Sequence, residues 1–373
     1  MSEVTRDPEA VATELAGKLS ARTRHVCVLL GAGASRSAGL PDLRGLQDAV
    51  KESSRLTETQ QKQVAELFKT RNLEEALSYL RRLVAILGDG QSLGDFNSAS
   101  AKELQTAITS AIIPALDHKA ARHEPFRLFA NWVSGAYYRL PIEIFTINYD
   151  LLLETGFEEL AVPYFDGFVG VLGGQFRPEL VDTIDPTEQA HALPATFVRL
   201  WKLHGSVNWE ETTDGTRRRI VRRGVPVTDG ATAAIYPSDE KYDQSRRVPF
   251  VVLMDRFRRA LAVPETLTLV AGYSFGDQDL NEMLFDAARA HSRSETVVFC
   301  FNDISGVVGH AAASTRNISV LGGNEVIIGG QRLNWARTEE LPGVWNGGAF
   351  QLGDFEHLAR FLATKARIGD VTA

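Results

Sequence analysis

A glycine-rich turn directly follows an apolar run near the start of the chain. Residues 29–46 read LLGAGASRSAGLPDLRGL, so Gly31 ends the run and Gly33 and Ser35 follow at once. A turn of this kind between a strand and a helix presents backbone N–H groups to a phosphate, and the helix dipole adds to the attraction. The turn departs from the dinucleotide pattern G-x-G-x-x-G because Arg36 stands where the third glycine would be. By itself the motif is equally consistent with dinucleotide binding and with a tight turn that binds nothing.

Polar side chains also follow four later apolar runs. Asn148 and Asp150 follow IEIFTI, His204 follows VRLWKL, and the segments GYSFGD and FND end two further runs. The carboxyl ends of parallel strands meet at one edge of a sheet, where α/β proteins bind their ligands. Taken singly, Asp150 is equally consistent with a helix cap and His204 with a satisfied core histidine. Their shared position at strand ends predicts a single ligand crevice.

The elements that must position these residues alternate along the chain. Apolar runs of strand length are followed by helical patterns of roughly 10–15 residues, which is typical of a parallel sheet with helices on both faces. We therefore predict an α/β fold with a Rossmann-like, doubly wound parallel sheet. The runs interpreted as strands are 25–30, 142–147, 197–206, 266–274 and 295–302.

Two segments interrupt this alternation. Residues 50–137 show helical periodicity without strands, including a capping-box pair at Asn72 and Glu75 and a helix that we expect Pro114 to interrupt. Residues 207–236 contain an Asp-Gly turn between two polar strands, which predicts a small β-hairpin. The predicted units are a sheet domain (1–49 and 138–320), a helical insertion (50–137) and a C-terminal segment with a terminal helix (321–373).

Composition limits the class of protein. The length of 373 residues and the hydrophobic content of 44% are typical of a globular protein of two units. The formal net charge of −7 argues against a protein that coats nucleic acid without sequence preference. The first residues do not resemble a signal peptide, and apolar runs are too short to span a membrane, so we expect a cytoplasmic protein without membrane contact. The two cysteines, Cys27 and Cys300, are expected to be buried thiols.

The motifs GAGASRSAGLPDLRG, TINYD, KLHGS, GYSFGD and FND occur in this order and resemble the sirtuin (silent information regulator) superfamily. The sequence is most similar to the bacterial sirtuin-like branch associated with antiphage defence. The resemblance covers roughly residues 24–320 without the helical insertion. It implies a Rossmann-like NAD-binding domain.

The resemblance also implies roles for individual residues. His204 would be the catalytic base, and Asn148 and Asp150 would hold the nicotinamide ribose and the carboxamide region. The NAD phosphates would be contacted by Gly31, Ala32, Gly33 and Ser35, and the loop on the nicotinamide side would contain Asp42 and Arg44. The phosphate and ribose path would be lined by Gly272 and Ser274, and the adenine ribose would be approached by Asn302.

Departures from the family pattern indicate which branch of the sirtuin superfamily the sequence resembles. Deacylating sirtuins carry a four-cysteine zinc ribbon after the His-Gly motif, whereas residues 207–236 contain no cysteine, so we expect no zinc there and a small hairpin in its place. Ile147 replaces a usual Gln, and Leu43 replaces a usual Phe. The resemblance therefore points to an NAD+ nucleosidase that hydrolyses NAD as its substrate. Two alternatives stay open: an NAD-dependent protein deacylase, and an NAD-binding or nucleic-acid-associated subunit that does not cleave.

Partners are predicted less directly. An enzyme that destroyed NAD continuously would be toxic, so we expect control by assembly, as a homo-oligomer or with a partner. Sirtuin-like chains of this size, without a fused sensor domain, resemble the subunit that pairs with a HerA-like ATPase in some defence systems. The arginines from Arg217 to Arg223 predict either a solvated hairpin or a contact with nucleic acid or an acidic surface. The product, ADP-ribose or a cyclic form, is left open.

Overall fold

The computed structural model describes residues 5–88, 90–182, 197–214, 217–227, 248–337 and 339–365. Its strands are β1 (Thr5–Arg6), β2 (Val26–Leu30), β3 (Ser92–Leu93), β4 (Phe96–Asn97), β5 (Ile142–Thr146), β6 (Tyr164–Phe165), β7 (Phe168–Val169), β8 (Gly174–Phe176), β9 (Val198–Lys202), β10 (Trp209–Asp214), β11 (Arg217–Arg222), β12 (Leu267–Ala271), β13 (Glu295–Phe299), β14 (Ile318–Leu321), β15 (Glu325–Ile328), β16 (Gln331–Trp335), β17 (Trp345–Asn346) and β18 (Ala349–Phe350).

The helices surround these strands. They are α1 (Pro8–Ser20), α2 (Ala32–Ser37), α3 (Leu43–Lys51), α4 (Glu58–Leu67), α5 (Leu73–Ile86), α6 (Ser98–Ala115), α7 (Glu124–Ser134), α8 (Leu152–Glu159), α9 (Glu179–Asp182), α10 (Phe250–Leu261), α11 (Gln278–Ala290), α12 (Gly306–Ser314) and α13 (Phe355–Lys365). Within the described ranges, no helix has the length and apolar character needed to cross a membrane.

The central sheet has the order β1-β16-β15-β14-β13-β12-β2-β5-β9-β6. All pairs from β14 through β6 are parallel, and β14, β15 and β16 continue the sheet in antiparallel fashion. The chain runs outward from β2 through β5 to β9 and later returns to β12 on the other side of β2. The order therefore reverses between β2 and β12, which is where open α/β sheets form a ligand crevice. The predicted fold class is confirmed.

Alternate residues of β2 face two different helical layers. Val26, Val28 and Leu30 pack in a core with α1, α7, α8 and α13, whereas Cys27 and Leu29 pack in a second core with α10, α11 and α12. Every residue of this strand is buried, as expected for a parallel strand covered on both faces. Both cysteines are free thiols; Cys27 is buried, as predicted, whereas Cys300 is only partly buried because it lies just beyond the end of β13.

The helices α3 to α6 form a third apolar core of their own. Its members include Tyr149, Leu151 and Val207, which come from the loops after β5 and β9. Asn72 and Glu75 form the predicted capping box of α5. Helix α6 ends at Ala115, one residue beyond Pro114. Helix α7 packs in the first core, against α13, and the division of the chain at 50–137 stays a prediction.

The predicted hairpin is present as β10 and β11, which pair in antiparallel register. It joins β8 and β7 in a separate four-stranded sheet. Residues 228–236 of the predicted hairpin segment lie outside the described residues. The sequence analysis did not assign the strands β15 and β16, which lie in the predicted C-terminal segment.

Candidate functional site

A cavity of about 1600 Å³ opens at the carboxyl ends of β2, β5, β9, β12 and β13. The structure brings the strand-end residues predicted from the sequence to this one place. Those that line the cavity are Ala32, Gly33, Ser35, Asp42, Arg44, Asn148, Asp150, His204, Gly272, Ser274 and Asn302. Gly31 does not line it.

Gly31 and Gly33 allow two turns to touch. A Cβ on Gly31 would lie 2.5 Å from the carbonyl oxygen of Gly272, and a Cβ on Gly33 would lie 2.7 Å from the Gly272 Cα. Gly272 has a φ of +64°, and a Cβ there would lie 2.3 Å from the amide of Ala34. All three positions therefore exclude a side chain. The glycine-rich turn is built first of all for contact between the turns after β2 and β12.

Part of the predicted phosphate cradle is already bonded within the protein. The Gly33 amide donates to the Gly272 carbonyl at 2.8 Å, and the Ala34 amide donates to the Gly31 carbonyl at 3.0 Å. The contact of this turn with a phosphate stays a prediction.

Ser35 joins Asn148 and Asp150 in a buried network. The Ser35 hydroxyl donates to Asp150 Oδ2 at 2.6 Å and accepts a bond from Asn148 Nδ2 at 2.8 Å. Asn148 Nδ2 also donates to the Gly31 carbonyl at 2.9 Å, and Asp150 Oδ1 accepts from the Leu152 amide at 3.0 Å. Asp150 therefore both accepts a bond from the first amide of α8 and belongs to the network at the cavity. The Ser35 hydroxyl thus bonds to both neighbours, as donor to Asp150 and as acceptor from Asn148, and so positions their two side chains.

One atom of the network has no bonding partner. Asn148 Oδ1 is buried and accepts no hydrogen bond from the described residues. A buried carbonyl oxygen without a donor costs about 1–3 kcal/mol, so such an atom is suited to a ligand hydroxyl or a water molecule.

Lys202 supports the network through the main chain of Asp150, and the sequence did not predict a role for this lysine. Its buried ammonium group donates to the main-chain carbonyl of Asp150 and lies 3.0 Å from Glu154 Oε1. A lysine at the end of an apolar strand was the available signal, because a buried lysine requires a partner. The three-dimensional structure identifies that partner as the loop that carries Asp150.

His204 lines the cavity from the loop after β9 and is buried. Its Nε2 lies 3.2 Å from Asp277 Oδ2. Asp277 caps α11, which begins after the strand end GYSFGD. The motif alone predicts no role for this aspartate, because local spacing does not encode a pairing with a histidine from another strand end.

The loop at the cavity entrance is held by Asp42. Asp42 Oδ1 caps α3 by accepting from the Gly45 amide at 2.9 Å, and Oδ2 lies 3.5 Å from Arg36 Nη1. Leu43 and Ile147, the two positions that depart from deacylating sirtuins, also line the cavity. The loop therefore lines the cavity, and its position over nicotinamide stays a prediction.

The small sheet neutralises part of its arginine cluster. Arg222 lies 3.2 Å from Asp166, and Arg223 lies 2.6 Å from Glu210. Burial raises the pKa of Asp166 to about 6, against the opposing effect of Arg222. The side chains of Arg217 and Arg218 lie outside the described part of the chain, and contact with nucleic acid stays a prediction.

No group of three or more His, Cys, Asp or Glu side chains suited to a metal ion occurs among the described residues. The expectation that the site binds no zinc stays a prediction.

A family model described as SIR2-like domain matches residues 142–318. The match includes the strand ends that carry Asn148, Asp150, His204 and Asn302, and it begins after the glycine-rich turn. No curated protein matches the chain. Over the matched residues the chain is similar to a family of NAD-dependent enzymes, which supports the sirtuin-like superfamily and an NAD-related activity.

Proposed function

We propose that the protein is an NAD+ glycohydrolase, which cleaves the bond between nicotinamide and ribose and yields nicotinamide and ADP-ribose. The observation that carries this proposal is the meeting of Asn148, Asp150 and His204 around one cavity at the switch point of the sheet. A mere binding site for NAD does not require an amide, a carboxylate and an imidazole together at the same strand ends.

The cavity is large enough for a dinucleotide. Its volume of about 1600 Å³ exceeds the ~300–1,000 Å³ of ordinary small-molecule sites. The unpartnered Asn148 Oδ1 provides an acceptor for a ribose hydroxyl or for the attacking water. Asn302 and Ser274 line the part of the cavity formed by the ends of β13 and β12.

The residues then divide the chemistry between them. Nicotinamide leaves as a neutral molecule without a proton, and positive charge develops on the ribose. The Asp150 carboxylate, held by Ser35 and the Leu152 amide, stabilises that charge electrostatically. A water oxygen bonds to the ribose carbon that nicotinamide leaves, and His204 accepts the proton that this water releases.

Water is the acceptor that the sequence favours over an acyl-lysine peptide. The chain has two cysteines, which cannot form a four-cysteine zinc ribbon. Leu43 and Ile147 give the cavity wall a different chemistry from that of deacylating sirtuins. A deacylase would release nicotinamide only when an acetylated peptide is added.

We propose further that the activity serves antiphage defence, on the strength of the family resemblance alone. A homo-oligomer and a HerA-like ATPase are the proposed means of control. Co-purification and size measurement test this part separately, and a monomer that is indifferent to such an ATPase would contradict it.

The first experiment incubates the purified protein with NAD and follows nicotinamide and ADP-ribose by chromatography. We expect release by the wild type and a loss of ~10²–10⁴-fold in His204→Ala, which is the usual contribution of a general base. We also expect turnover to be lost in Asn148→Ala.

His123→Ala is the matched control, because His123 also pairs with a carboxylate, Glu159 at 2.7 Å, but does not line the cavity. If the wild type is inactive alone, the assay is repeated with the ATPase and DNA. Inactivity in both forms, or full activity of folded His204→Ala, would contradict the proposal.

A further inference from the structure

His204 faces a carboxylate from a different strand end. Its Nε2 lies 3.2 Å from Asp277 Oδ2, and both side chains are at most one-tenth exposed. His204 follows β9, whereas Asp277 follows β12, so their contact spans the crevice between the two halves of the sheet. An acid and an imidazole brought together from separate loops in a cavity wall are typical of a catalytic pair.

Asp277 is itself held firmly. Its Oδ1 accepts hydrogen bonds from the amides of Asp279 at 3.0 Å and Leu280 at 3.2 Å, which cap α11. The Tyr273 hydroxyl, which has one proton to donate, lies between the Asp277 main-chain carbonyl at 3.0 Å and Asn281 Oδ1 at 2.9 Å. With one carboxylate oxygen fixed at the helix, the other lies 3.2 Å from the imidazole Nε2, which is within ion-pair distance but does not have hydrogen-bond geometry in this structure.

We propose that Asp277 is a positioning residue that fixes the tautomer of His204; this rests on the proposed function. A carboxylate only accepts hydrogen bonds, so a hydrogen bond formed across this 3.2 Å contact requires the imidazole proton on Nε2. Nδ1 is then the ring nitrogen that carries a lone pair. In the proposed reaction Nδ1 accepts a proton from the attacking water while the water oxygen bonds to the ribose carbon that nicotinamide leaves.

Asp277→Asn separates this role from that of the helix cap. Asparagine caps helices as well as aspartate does, so its oxygen stays with the Asp279 and Leu280 amides. Its NH2 group then faces His204 and donates, which favours a proton on Nδ1 and removes the base. In hydrolases with an Asp–His pair, the same exchange lowers turnover by ~10⁴-fold through the wrong tautomer.

The test measures the tautomer and the turnover of the full chain. In ¹⁵N NMR spectra, with the His204 signals assigned by their absence in His204→Ala, we expect the protonated nitrogen to change from Nε2 to Nδ1 in Asp277→Asn. We expect turnover of NAD to fall ~10²-fold or more in the same variant.

Asp7→Asn is the matched control. Asp7 caps α1 through the same pattern of amides, those of Glu9 and Ala10, and lies away from the cavity. We expect this variant to keep both the tautomer and the turnover. If Asp277→Asn does not fold, Asp277→Ser retains a cap without a carboxylate and should lose the fixed Nε2 proton.

An unchanged His204 tautomer in a folded Asp277 variant would overturn the inference, whatever the turnover. A tautomer change in a protein whose wild type cleaves no NAD would support the role of Asp277 and contradict the proposed function instead. The two proposals therefore fail by different measurements.

Discussion

The two ends of the central strands each carry buried polar side chains, and the two sets differ in how completely they are bonded. Near the amino ends, both oxygens of Glu143 are engaged by His25, Trp201 and Arg256. Near the carboxyl ends, Ser35, Asn148 and Asp150 are also bonded to one another, but Asn148 keeps an unpartnered oxygen.

The electrostatics of the amino-end set explain its completeness. Glu143 is almost fully buried, and burial by itself would raise the pKa of its carboxyl group. The hydrogen bonds from His25 and Arg256, and the charge of Arg256, hold that pKa well below its ordinary value instead. Glu143 does not line the cavity. A charged group in this position acts on the stability of the fold.

Structural and functional polar groups of one sheet can be separated by this difference. Both sets contain charged residues in apolar strands, so residue type does not distinguish them. What distinguishes the carboxyl-end set is its place at the cavity and the atom left without a partner. Substitutions at the amino end should change stability, and those at the carboxyl end should change turnover.

The largest effect is expected from Glu143→Gln. Removing one member of a buried charged pair costs about 3–5 kcal/mol when the remaining charge is left unpaired. Arg256 keeps Asp182 as a partner at 3.1 Å, so we expect a loss at the lower end of that range. Urea denaturation should show this loss in the free energy of unfolding. NAD turnover per folded molecule should stay at the wild-type level, and a loss of turnover with stability intact would break the comparison.

The next effect is expected from Ser35→Ala. The variant removes the donor to Asp150 and the acceptor for Asn148, and misplaced catalytic groups can lower turnover by ~10²-fold. Loss of a hydrogen bond to a charged group should also cost about 1.5–3 kcal/mol of stability. Nicotinamide release and thermal unfolding measure the two effects.

Ser37→Ala is the control for this variant. Ser37 lies on the same helix and at the cavity, but its hydroxyl donates only to the Ala34 carbonyl, at 2.7 Å. Its turnover should match that of the wild type. Equal losses in both serine variants would mean that the network does not position the catalytic groups.

The smallest effect is a pH dependence that belongs to Glu143. Because the fold lowers the pKa of Glu143, its contribution is complete above the unfolded pKa of ~4.3 and is lost as pH falls below it. The stability difference between wild type and Glu143→Gln should therefore shrink by up to about 1.4 kcal/mol per pH unit below that value. Unfolding measured from pH 7 to pH 3 tests the sign, and a difference that grows in acid would contradict it.

The sequence by itself determined the architecture and the place of the site. Apolar runs separated by helical patterns predicted the parallel sheet, because side-chain periodicity reports burial directly. Asn148, Asp150 and His204 were found because polar residues at strand ends meet at one edge, and that edge follows from strand direction. The motifs also carried the resemblance that the match over residues 142–318 supports.

The pairing of the site residues depended on long-range packing. The predicted contact of Ser35 with phosphate stays a prediction, whereas the hydrogen bond that its hydroxyl donates to Asp150, 115 positions further along the chain, was not predicted. Lys202 and Asp277 received no role from the sequence, since their partners lie on other strand ends. Hydrogen bonds between such distant residues depend on the register and twist of the whole sheet, which local spacing does not specify. The sequence thus placed the chemistry at an edge of the sheet, and long-range packing determined which atom bonds to which.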